Sequence, residues 1–119
     1  MILADTSVWI EHLRSDNPEF GARLDANEIA VHPFVIGELM LSGLKPDVLA
    51  YLQGLPCAVS ATAEEVAALI LAHPLHGRGI GYVDSALLAS ARLTPEASLW
   101  TCDRRLFAVA AEMSLAFES

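Results

Sequence analysis

Apolar runs that break at an acid and give way to helical spacing recur along this chain. Met1 to Ala4 is apolar, too short for a helix, and stops at Asp5; Thr6 and Ser7 follow, then Val8, Trp9, His12 and Leu13 at helical intervals. Such a run predicts a short buried strand, and Thr6 or Ser7 is the candidate cap of a helix over residues 7–13. Asn17-Pro18 ends that helix, and a second is expected over residues 19–25. Glu28 to His32 reads as another strand, after which Pro33 suits the first turn of a helix over residues 34–41. Gly43 closes it. A helix from Pro46 or Asp47 to Gln53, a strand over residues 57–60, and a capping box at Thr62-Ala-Glu-Glu65 opening a helix to about Leu71 come next. Pro74 and the glycine loop His76-Gly-Arg-Gly-Ile-Gly81 separate it from a helix over residues 82–93 rich in small residues. Ser98 to Thr101 is the next strand, Asp103 opens a helix over residues 104–112, and Leu115 to Phe117 offers an edge strand.

Strands alternating with helices predict an α/β fold with a parallel sheet covered on both faces. At 119 residues the chain is read as a single domain spanning residues 1–119. The glycine loop has neither the spacing nor the preceding strand of a phosphate-binding fingerprint. Composition narrows the picture further. Hydrophobic residues make up 54% and mean hydropathy is +0.43, an apolar surplus that fits a covered interface. Fifteen acids against seven bases give a net charge of −8, so any polyanion has to be held by local arginines or by metal ions. Cys57 and Cys102 are too far apart for a metal-ligand motif and read as reduced core thiols. No targeting segment and no apolar run of membrane-spanning length is evident, so a cytoplasmic protein without a membrane role is expected.

The chemistry concentrates in four acids: Asp5, Glu38, Asp84 and Asp103. Asp5 and Asp103 each end a short apolar strand and precede a helix, the position where ligands gather in open α/β sheets. If their strands are neighbours, both carboxylates share one edge. Asp84 lies in the first turn of its helix, and Glu38 has Phe34, Val35 and Leu41 beside it on what is expected to be a buried face. Each alone has a plainer explanation, Asp103 as an N-cap and Asp84 as compensation of a helix dipole. Together they repel unless compensated, and hard divalent cations such as Mg2+ or Mn2+ provide that compensation through oxygen ligands. No His or Cys has zinc-ligand spacing.

With those residues in place, the chain resembles the PIN-domain ribonucleases, and within them the VapC toxins of bacterial toxin–antitoxin pairs. The matching segments are Asp5-Thr6-Ser7-Val8-Trp9, Val35-Ile36-Gly37-Glu38-Leu39, Gly79-Ile80-Gly81-Tyr82-Val83-Asp84 with Leu87-Leu88-Ala89, and Leu99-Trp100-Thr101-Cys102-Asp103-Arg104-Arg105-Leu106, in the family's order. The resemblance implies a PIN-like three-layer α/β/α sandwich and a Mg2+- or Mn2+-dependent endoribonuclease acting on tRNA, rRNA or mRNA. It assigns Asp5, Glu38, Asp84 and Asp103 to the catalytic, metal-holding site, and Thr6, Ser7 and Thr101 to supporting hydroxyl positions. It further implies a homodimer and a cognate VapB antitoxin whose C-terminal segment covers the site. The expected mechanism is in-line hydrolysis of a phosphodiester by water activated at one or two ions, with Asp5 and Asp103 as direct ligands.

Arg104, Arg105 and Arg78 are candidate phosphate contacts, against the plainer reading of solvated charges. Trp9 and Trp100 read as core, and His12, His32, His73 and His76 form no catalytic constellation. A haloacid dehalogenase-type phosphotransfer domain expects an Asp two residues after Asp5, where Ser7 stands. A receiver-like binding module expects paired acids after the first strand and a late Lys, and the only Lys is Lys45. A non-catalytic PIN-like scaffold that only binds its partner is the remaining alternative.

Overall fold

The computed structural model describes all of residues 1–119. Its order is β1 (Ile2–Ala4), α1 (Thr6–Ser15), α2 (Pro18–Asp25), β2 (Ile29–Ala30), α3 (Pro33–Leu41), α4 (Pro46–Gln53), α5 (Ala63–Ala72), α6 (Tyr82–Leu93), β3 (Ser98–Trp100) and α7 (Arg104–Glu112). The three strands form one sheet in the order β2-β1-β3, parallel throughout. In register, Ile2 faces Ile29 and Ser98, and Ala4 faces Trp100. Strand residues point alternately to opposite faces, and Ile2, Leu3 and Ala4 are all buried, so helices cover both sides of the sheet. This is the α/β architecture that the alternation predicts.

The core is one cluster of 26 apolar residues. Phe20 on α2 is its aromatic hub, with ring centroids 4.8 Å from Trp9 and 5.4 Å from Trp100, both edge-on. Trp9 and Trp100 are therefore core residues, as their apolar settings predict. Because β1 is central, its C-terminal end lies beside that of β3, and the amide of Asp5 continues the ladder by donating to the Trp100 carbonyl at 3.0 Å. Asp5 thereby reaches the same sheet edge as the turn carrying Thr101 and Asp103.

Several expectations change. The segment 57–60 contributes a single bridge, Cys57 to Val31, rather than a strand. Leu115 to Phe117 likewise reduces to a bridge between Ala116 and Leu99. Cys57 and Cys102 are free thiols, as expected, but both are exposed rather than in the core. The cap of α1 is neither Thr6 nor Ser7 but Asp5, whose carboxylate accepts from the Val8 amide at 3.1 Å. Burial of Asp5 at the strand end explains this, because the free amide of Val8, the third residue of the helix, is the donor within reach of its carboxylate. No helix is long and apolar enough to cross a membrane.

Candidate active site

The β1–α1 and β3–α7 junctions are welded by two hydroxyls. Ser7 Oγ donates to Asp5 Oδ1 at 2.5 Å and accepts from the Cys102 amide at 3.0 Å. Thr101 Oγ1 donates to Asp5 Oδ2 and accepts from the Asp103 amide at 3.0 Å. Both oxygens of Asp5, which is only 5% exposed, are thus satisfied, and its orientation is fixed by contacts from both junctions. Asp103 caps α7, with Oδ1 accepting from the amides of Arg105 and Leu106 at 2.9 and 3.0 Å. Being an N-cap does not occupy it fully, since Oδ2 has no partner in the protein.

Glu38 comes to the same edge through the packing of α3 against α1. Thr6 Oγ1, freed from capping, donates to Glu38 Oε1 at 2.5 Å. Glu38 is exposed rather than buried as its apolar neighbours predict. The neighbours explain the difference: Phe34 and Leu41 are themselves 45% and 90% exposed, and Val35 and Leu39 are the residues of α3 that are buried in the core. Asp84, in the first turn of α6, accepts from the Gly81 amide at 3.2 Å through Oδ2. Burial, followed by the negative charges of Asp5, Asp103 and Glu38, pushes its carboxyl above the ordinary range, against the Gly81 amide that holds it down. The same influences show that all these acids share one electrostatic neighbourhood.

No ion pair in the molecule involves any of them; Arg23, Arg78, His12 and His73 pair with other acids. Glu38, Asp84 and Asp103 each keep one carboxylate oxygen without a protein donor. No three acid, His or Cys side chains stand close enough together to hold a metal ion by themselves. An all-oxygen, uncompensated set with free lone pairs fits a hard divalent ion that retains waters, and does not fit zinc.

Among the arginines, Arg104 is exposed at the start of α7 beside Asp103. Arg105 lies over the glycine loop: a methyl group at Gly79 would stand 2.7 Å from Arg105 Cδ, and Gly79 has φ +79°. Arg78 forks onto Glu112, donating from Nη1 and Nη2 at 2.9 and 2.5 Å. His73 Nε2 joins the same carboxylate at 3.1 Å. This pairing, absent from the sequence reading, links positions 34 residues apart and carries no local pattern that points to it.

Comparison with known proteins adds two findings. The PIN domain model matches residues 2–112. Two curated relatives, each named Ribonuclease VapC32 and from Mycobacterium tuberculosis strains CDC 1551 / Oshkosh and ATCC 25618 / H37Rv, are 45% identical over 121 residues, covering 98% of this chain and 95% of the relative.

Proposed function

This chain belongs to the PIN-domain family, and from that premise we propose that it is a divalent-metal-dependent endoribonuclease, a toxin of the VapC kind. The observation that carries the reading is the gathering of Asp5, Glu38, Asp84 and Asp103 at one edge of the sheet with no cationic side chain paired to any of them. These four residues would hold Mg2+ or Mn2+, whose chemistry is to lower the pKa of water and to neutralise charge on a phosphodiester.

The chain's own contribution is positioning. Asp5, gripped through both oxygens, presents a fixed negative charge at the centre. Asp103 is held by its capping bonds, Glu38 by Thr6 and Asp84 by the Gly81 amide, each leaving its second oxygen without a protein donor. Ser7 and Thr101 orient Asp5 by donating to both of its carboxylate oxygens. Arg104 and Arg105, on the first turn of α7, are the cations placed to meet RNA phosphates.

RNA is the proposed substrate, and a VapB-type antitoxin and a second copy of the chain are the proposed partners. Supporting this, large apolar side chains stand exposed on several helices, including Leu13, Leu41, Tyr51 and Leu71. The test is cleavage of single-stranded and structured RNAs by protein freed of any co-purifying antitoxin, with Mg2+ or Mn2+ and with chelator. Metal-dependent cutting abolished by Asp5→Asn and Asp103→Asn is the expected result. Metal binding without cutting would move the question to the substrate. Neither binding nor cutting would leave a partner-binding scaffold.

A further inference from the structure

Asp5 and Asp103 are joined through backbone and hydroxyls, but Asp84 has no hydrogen bond to any element that carries another acid. Its place depends on how the first turn of α6 is set, and that turn is reached through the glycine loop. Gly77 and Gly79 in this loop have φ +75° and +79°, and the amides of Gly79 and Ile80 donate no backbone hydrogen bond. The loop is instead pinned by side chains to α7, the helix that Asp103 caps. On one side the Arg78 guanidinium forks onto Glu112 in the last turn of α7, with His73 on the same carboxylate. On the other, Arg105 from the first turn of α7 lies over Gly79.

We propose that Arg78 and Glu112 are positioning residues, whose pairing registers the first turn of α6, and so Asp84, against the α7 that carries Asp103. The proposal rests on the nuclease reading above. The magnitudes favour this role over a stabilising one. An ion pair as exposed as this one adds little to folding stability, whereas a two-pronged Arg–carboxylate contact fixes geometry. The same pairing makes Arg78 a tie within the protein rather than a phosphate contact.

The experiment compares Arg78→Ala, Glu112→Gln and the reversed pair Arg78→Glu with Glu112→Arg in the full chain. Readouts are RNA cleavage kinetics, Mn2+ affinity by calorimetry and amide exchange at Ser85, whose N–H bonds to the Gly81 carbonyl at 3.1 Å. Both single variants are expected to lose roughly tenfold in kcat with KM changed less than about twofold, since small misplacements of a reacting group are costly. Mn2+ affinity falls about threefold, Ser85 exchanges faster, Tm stays within a degree or two of wild type, and the reversed pair recovers most of each loss. A rise in KM for Arg78→Ala that Glu112→Gln does not share would overturn the proposal in favour of an RNA contact. Wild-type kcat, Mn2+ affinity and exchange in both single variants, or no recovery in the reversed pair, would also overturn it. A wild-type protein that neither cuts RNA nor binds Mn2+ is a different failure, that of the nuclease reading itself.

Discussion

The two halves of the acidic site are built differently. Asp5 and Asp103 sit on adjacent parallel strands' ends, where ladder hydrogen bonds fix the backbone and Ser7 and Thr101 tie the two turns together. Glu38 and Asp84 arrive on helices, each held by one side-chain hydrogen bond and placed by packing. Asp5 is buried and doubly satisfied, whereas Glu38 is exposed and Asp84 half-buried. In the proposed site, two acids tied together across the sheet face two that are each held by a single side-chain hydrogen bond.

The largest expected effect is on the rigid half. Asp5→Asn should lower the rate of RNA cleavage by roughly a thousandfold or more in single-turnover assays, since it removes the central charge of the site. Asp103→Asn should match that loss yet leave urea stability within about 0.5 kcal/mol, because Asn caps a helix as well as Asp. A Glu38→Gln variant as inactive as Asp5→Asn would erase the distinction between the halves.

Next in size is the weld itself. Thr101→Val leaves an oxygen of buried Asp5 and the Asp103 amide unsatisfied, and should cost about 1–3 kcal/mol in urea unfolding. Thr6→Val, the equivalent change on the adjustable side, should cost less than about 1 kcal/mol, because exposed Glu38 turns to water. Equal costs for the two would show that Glu38 is held as firmly as Asp5.

The smallest effect concerns the Arg78–Glu112 pair. Hydrogen bonds from Arg78, then His73, depress the Glu112 carboxyl from 4.5 to about 2. A depressed pKa contributes stability above the unfolded value, which is lost as pH falls through the folded one. The small Tm gap between wild type and Glu112→Gln should therefore be constant above about pH 4.5 and close as pH falls towards 2. A gap that persists at pH 2 would place its origin outside the pairing.

Much of the site was legible because it follows from local chemistry. A short apolar run ending in Asp, twice, marks strand ends at Asp5 and Asp103 without any knowledge of their contacts. Helix limits at Asn17-Pro18, Pro33, Thr62 and Asp103 were readable for the same reason, since caps and prolines act within a turn. The segment 57–60 looked like a strand by composition but found only one pairing partner, at Val31. Periodicity made Glu38 look buried, because helix α3 is apolar nearly all round and the sequence does not say which side meets the core.

By itself, then, the sequence determined the order of the seven helices and of the three strands that form, the acids after strands and at helix starts, and the family, through interactions spanning a few residues. Tertiary structure alone decided that β1 lies between β2 and β3, that Thr101 and the Cys102 amide meet Asp5 and Ser7 across the sheet, and that Arg78 meets Glu112. The Arg78–Glu112 and Thr101–Asp5 contacts join positions 34 and 96 residues apart, and their partners are chosen by packing geometry, which leaves no periodic trace along the chain.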